Sequence, residues 1–161
     1  MNIKMMTFFF GLSLLFPACA SKPYLKQNSA LIVFKTPTFK YADLGFVYEN
    51  EEEVKVEIYG SGQALMSLKI SEGSVCMRLL ECMSKESFNA KVLNGAYPKD
   101  VLENIFRGKK IFSGIGLVKK SNGFTQQITK QGKYTIEYEV FNNEITFRDT
   151  INAILVKVKK Q

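Results

Sequence analysis

The 161-residue chain contains no histidine and no tryptophan, and it carries only three cysteines and four prolines. Without imidazole there is no Ser/His or Cys/His pair to activate a nucleophile and no histidine to ligate a metal. The familiar hydrolase mechanisms built on such pairs are excluded. A phosphate-cradling loop is lacking as well, since Gly60-Ser61-Gly62 is followed by a strand pattern where that loop requires a helix. Carboxylates do cluster at Glu49, Glu51, Glu52 and Glu53 beside Asn50, but the cluster reads as a solvated polar turn. The expectation is therefore a non-enzyme with no cofactor, no catalytic residue and no metal. Arginine-rich blocks are absent too, and lysines scattered through alternating segments (Lys55, Lys69, Lys133, Lys157, Lys159) supply most of the formal charge of +7. Such scatter suits an anionic lipid surface or an acidic partner better than nucleic acid.

The chain has one long apolar run, Met5 to Phe16, which is shorter than the roughly 20 residues of a membrane-spanning helix. Lys4 precedes it and Leu14-Leu15-Phe16-Pro17-Ala18-Cys19 closes it, the layout of a signal peptide ending in a small residue and a cysteine. The segment resembles the recognition box of bacterial prolipoproteins, and the resemblance implies that residues 1–18 are removed and that Cys19 becomes the acylated first residue. Two or three acyl chains at roughly 0.8 kcal/mol per buried methylene hold a protein at a membrane permanently. The alternative is an ordinary secretory signal cleaved near Ala18 or Ala20, leaving a free thiol. In either case export argues against a nucleic-acid partner. Only Lys4 among the charges is lost with the leader, so the mature chain stays basic. The expected division is a leader over 1–18, a polar tether over 19–29, and a single domain over 30–161, long enough to bury a core.

Within that domain the pattern is strand after strand with one helical interruption. Leu31 to Lys35, Phe39 to Glu49, and Val54-Val56-Ile58 alternating with Lys55-Glu57-Tyr59 read as strands, followed by Ala64-Met66-Leu68-Ile70 against Leu65-Ser67-Lys69. Ser74 to Arg78 reads as a short strand, Leu79 to Glu81 as a turn and Cys82-Met83 as its return. That hairpin brings Cys76 and Cys82 within reach of a disulfide, with two buried thiols as the alternative. Ser84 caps a helix over Lys85 to Leu93 that stops at Asn94-Gly95, and Pro98 opens a second whose Val101, Leu102, Ile105 and Phe106 share one face up to Gly108. Strands resume at Ile111 to Val118, Phe124 to Thr129, Tyr134 to Val140, Ile145 to Arg148 and Ala153 to Val158.

About ten strands in one meander must curl to protect their edges, which predicts a mainly β fold: a single antiparallel sheet forming an incomplete barrel, capped or plugged by two short helices. Its inner face is apolar by pattern: Val56, Ile58, Met66, Leu68, Tyr134, Ile136, Tyr138, Val140, Ile154, Val156 and Val158, with Phe106 facing it from the second helix. Such a barrel is wider than its own side chains fill, so either the helices complete a solid core or the interior holds an apolar ligand. Periodicity leaves both open.

Tyr97-Pro98-Lys99-Asp100-Val101-Leu102-Glu103-Asn104-Ile105-Phe106-Arg107-Gly108 resembles the Pro-x-x-x-Leu-x-x-Trp-x-x-Gly helix of the LolB family of outer-membrane lipoprotein acceptors, with Ile105 in place of the tryptophan. Gly132-Lys133-Tyr134-Thr135-Ile136-Glu137-Tyr138 is similar to that family's Gly-x-x-Trp-x-Val-x-Tyr strand, and the final strand pair before a basic C-terminus also fits. The resemblance spans residues 39–159. It implies a lipid-anchored protein on the periplasmic face of the outer membrane that accepts lipoprotein acyl chains from a LolA-like carrier and passes them to membrane lipid. It further implies an acyl-chain cavity lined by Val56, Ile58, Met66, Leu68, Phe106, Ile136, Tyr138, Ile154 and Val156, and a membrane-facing loop at Tyr59, Gly60, Ser61 and Gly62, where Ser61 stands near the family's exposed leucine. Two other readings compete: a non-transporting lipid-anchored β-domain that binds another envelope protein, and a binder of free lipid or another small apolar ligand.

Overall fold

A computed structural model describes residues 23–161 except 79, so the leader and Cys19 lie outside the described residues. The alternating segments form eleven strands: β1 (Lys26–Lys35), β2 (Lys40–Glu49), β3 (Val54–Gly60), β4 (Gln63–Ile70), β5 (Ser74–Met77), β6 (Leu80–Ser84), β7 (Leu117–Lys120), β8 (Gly123–Lys130), β9 (Tyr134–Phe141), β10 (Glu144–Asp149) and β11 (Ile154–Lys160). They make one antiparallel sheet in the order β6-β5-β4-β3-β2-β1-β11-β10-β9-β8-β7. This is a curled sheet that does not close. The first and last strands meet at its centre, with Ala30 opposite Lys160 and Lys35 opposite Leu155. Tight connections fix the register: Ser61 and Gly62 between β3 and β4, and Asn142 and Asn143 between β9 and β10, take the left-handed φ values that two-residue hairpins need.

Two helices lie between the sheet's edge strands in sequence, α1 (Lys85–Val92) and α2 (Val101–Arg107). Ser84 caps α1 by accepting from the Ser87 amide, and Gly108 ends α2 with φ 64°. The segment 85–116 thus joins β6 to β7 and crosses the open side of the sheet.

Four local expectations change. β1 begins at Lys26, inside the stretch read as tether, because the Leu25 amide donates to Glu49 O and the ladder continues from there. The return strand β6 begins at Leu80, before the end of the expected turn. Pro98 does not open α2: its carbonyl accepts from the Val101 amide in a preceding turn, and the helix starts at Val101. The strand expected over Ile111 to Val118 is broken by a 3-10 turn at Phe112–Gly114, with φ of 47° at Phe112 and 54° at Ser113. Its cause is Gln126, which is buried: its side chain accepts from the Ile111 amide (2.8 Å) and donates to the carbonyls of Ile111 (2.9 Å) and Ile115 (2.8 Å). Satisfying that buried amide bends the chain out of the ladder.

Candidate functional site

The concave face of the sheet and the insert 85–116 that covers it form the candidate site. Val56, Ile58, Met66, Leu68, Phe106, Ile136, Tyr138, Ile154 and Val156 come together in one apolar cluster, each 0–1 % exposed. Strict alternation puts them there: along β3 and β4 every second side chain points inward, while Lys55, Glu57, Ser67 and Lys69 point out. The insert supplies Phe88, Val92, Val101, Leu102, Ile105 and Phe106 to the same cluster. A ligand from solvent meets this face only if the insert gives way.

Polar ties hold the insert's two helices to each other and the insert to the sheet. Lys85, buried on α1, donates to Asp100 Oδ1 at 2.9 Å and Glu103 Oε2 at 2.7 Å. Burial alone pushes its ammonium pKa down, but the two carboxylates outweigh it and hold the pKa above its ordinary value. Arg107, whose side chain is 8 % exposed, donates through Nε to Glu103 Oε1 (2.8 Å) and through Nη1 to the Asn50 carbonyl (2.8 Å), with Glu49 Oε2 at 4.0 Å. Its Nη2 has no hydrogen-bond partner among the described residues. A cleft lined by Leu25, Lys26, Glu49, Asn50, Glu51, Arg107 and Lys109 opens beside it.

On the other flank Tyr97 donates its hydroxyl to Asp149 and packs edge-on against Phe112, Tyr134 and Phe147, with ring centroids 5.7–6.0 Å apart. Burial, then the Asp149 hydrogen bond, holds the Tyr97 phenol pKa well above its ordinary value. Burial also raises that of Tyr138, whose hydroxyl donates to the Lys109 carbonyl at 3.0 Å.

The polar turn after β2 is not uniformly solvated. Glu49 and Asn50 are buried, while Glu51 and Glu52 are exposed. Asn50 Oδ1 accepts from the amides of Glu52 (2.9 Å) and Glu53 (2.8 Å), and Lys160 Nζ reaches Glu49 Oε1 at 3.3 Å. Burial pushes the Glu53 pKa up, but hydrogen bonds from Lys69 and Tyr24 more than offset it and hold the carboxyl below its ordinary value.

Tyr59, Gly60, Ser61 and Gly62 end β3 and turn into β4, with Ser61 and Gly62 exposed. Tyr59 donates to Glu57 Oε2 at 3.0 Å and meets Phe46 edge-on at 5.9 Å. Cys76 and Cys82 are joined by a disulfide across the β5–β6 hairpin. Among the described residues no cluster of three or more Cys, Asp and Glu side chains is arranged to hold a metal ion, and no helix is long and apolar enough to cross a membrane. Comparison of the chain with protein-family models and with curated proteins finds no match.

Sequence reasoning missed the ties at Glu49, Asn50, Lys85, Arg107, Tyr97 and Gln126. A basic residue alone in a helix's last turn, as Arg107 is, gave a faint signal. Its partner lies 57 residues away in sequence, so no local pattern could name it.

Proposed function

We propose that this chain is a lipid-anchored envelope protein that takes lipoprotein acyl chains from a LolA-like periplasmic carrier and hands them to the outer membrane. The carrying observation is the open sheet with an apolar concave face, covered by an insert that joins its two edge strands outside the ladder. Such a cover can leave without breaking any strand pairing.

The magnitudes are compatible with exchange. The nine buried apolar side chains of the insert contribute roughly 2 kcal/mol each, so uncovering the face costs on the order of 20 kcal/mol. The two or three acyl chains of a lipoprotein, at roughly 0.8 kcal/mol per methylene and so about 12 kcal/mol for each chain of about sixteen carbons, return a similar amount when they take the insert's place. Near balance is what a hand-over protein needs, since cargo must enter from the donor and leave for the bilayer with no nucleotide to drive it. Cys19, as an acylated anchor, keeps the acceptor at the membrane that receives the cargo.

The full burial of the concave face also favours a second reading, a non-transporting β-domain whose insert never opens. Mixing residues 23–161, which hold the whole sheet and its core, with a carrier loaded with lipoprotein separates the two. Cargo recovered on this chain supports acceptance; cargo remaining on a carrier that discharges to another acceptor leaves the binding domain. Free fatty acid that binds but does not compete with lipoprotein would point to the third reading, a binder of free lipid.

A further inference from the structure

The tether enters the fold at one end of the sheet. Leu25 bonds Glu49 and the Tyr24 hydroxyl bonds Glu53 at the turn between β2 and β3. Cys19 is five residues before Tyr24, so an anchored lipid lies within about 17 Å of that point. The Tyr59–Gly62 turn sits at the opposite end of β3, seven residues away and thus roughly 20 Å farther along the sheet. The rim at the tether's end is the one that chain length holds against the membrane.

That rim is divided by charge and apolarity. On the β2–β5 side its exposed turns carry Glu51, Glu52 and Glu72. Across β1, β11, β10, β9, β8 and β7, and on the chain leaving α2, it carries exposed Lys26, Lys109, Lys110, Lys119, Lys120 and Lys159, against exposed Glu139, paired with Lys120, and half-buried Glu144, paired with Lys157. Among these stand large exposed apolar side chains: Leu25 at 73 %, Val118 at 61 % and Phe141 at 36 %. Lys109 lines the same cleft as Leu25 and Lys26, which places α2's exit beside the tether. The buried Gln126 clamp fixes the backbone that leads into Val118 and Lys119.

We infer that this half-rim, Leu25-Lys26, Lys109-Lys110, Val118-Lys119 and Phe141, docks on an anionic lipid bilayer, the lysines against headgroup phosphates and the apolar side chains at the acyl boundary. The inference rests on the lipid-anchored reading for the position of the tether. Docking orients the open edge and its insert toward the surface that takes the cargo, and it supplies a second membrane signal besides the acyl chains.

The test is co-sedimentation of residues 23–161, which lack the lipid, with vesicles of pure phosphatidylcholine or of phosphatidylcholine with phosphatidylglycerol. The expected result is binding to the anionic vesicles alone, lost at high salt. K109Q/K110Q/K119Q should weaken it by about 100-fold, at roughly fivefold per lysine, and Leu25→Ser with Val118→Ser by about tenfold. K35Q/K40Q/K133Q, which removes the same charge from the opposite end, and Tyr59→Glu should leave binding within about threefold. All these sites are exposed or partly exposed, and thermal melts confirm that each variant folds. No binding by the parent chain, or equal loss from the two lysine triples, overturns the docking surface. Fatty-acid uptake by the parent chain tests the proposed function separately: uptake without vesicle docking by that chain sinks the rim alone, and docking without uptake sinks acyl acceptance alone.

Discussion

The sheet and the insert are held together by different physics. The sheet is knitted from strand to strand, its ten neighbouring pairs all antiparallel and its inner side chains almost wholly buried. The insert shares that apolar core, but among the described residues it pairs with no strand: Lys85 ties its two helices together through Glu103, and side chains tie it to the sheet, Arg107 to the Asn50 carbonyl, Tyr97 to Asp149, and Gln126 to the Ile111–Ile115 turn. Backbone ladders are lost only when strands separate, whereas side-chain ties can be released one by one. The proposed exchange requires the sheet to hold as a frame while the insert lifts as a cover.

The largest test of that difference sets Phe34→Ala, in the central strand β1, against Phe106→Ala, in α2. Both phenyl rings are 0 % exposed, and each truncation should cost about 3–5 kcal/mol. Phe34→Ala should lower the denaturant midpoint of the whole chain. Phe106→Ala should instead speed hydrogen exchange across 85–116 well before the strands exchange. Equal loss of protection in both regions would erase the distinction.

Arg107→Ala comes next. It removes two hydrogen bonds from the cover and leaves Glu103 and Glu49 without a guanidinium. The adjoining cleft admits water, so the cost should be about 2 kcal/mol, below the usual loss for a fully buried pair. Fatty-acid uptake should then quicken by roughly tenfold or more as the open state is populated, and slower uptake would show that the tie does not govern opening. Cys76→Ser with Cys82→Ser acts on the frame: about 2 kcal/mol of stability should disappear by the chain-entropy model, with no change in uptake rate.

The smallest effect concerns pH. The Tyr97 and Tyr138 phenols are held above their ordinary pKa by burial. Above about pH 10 the unfolded chain releases phenolic protons that the folded chain keeps, so stability should fall as pH rises past that value. Tyr97→Phe should make the fall shallower while costing about 1–2 kcal/mol at neutral pH through the lost bond to Asp149. An unchanged alkaline slope in that variant would place the titration elsewhere.

Much of the frame was legible from residue order. Val54-Val56-Ile58 and Met66-Leu68-Ile70 declare their inward face by period alone, and Ser84 declares the start of α1. The open sheet of the expected kind follows from the number of such segments. Ile111 to Val118 misled because its apolar residues suit a strand, while the force that bends it comes from a glutamine on β8. Pro98 misled similarly, its favoured place at a helix start yielding to a turn that closes on Val101. The cover's fastenings were invisible because each joins residues distant in sequence, and the pairing of β1 with β11 joins the two ends of the chain.

The most direct measurement is a cross-linking map of the cargo. Residues 23–161 carrying a photoreactive side chain at an inward position, Met66 or Ile136, or at the adjacent outward position, Ser67 or Glu137, are incubated with a carrier loaded with lipoprotein and illuminated. Acceptance on the concave face requires the cargo's acyl chains to cross-link at Met66 and Ile136 and not at Ser67 or Glu137. Cross-links confined to the outward positions, or none while the same carrier discharges to another acceptor, would contradict it.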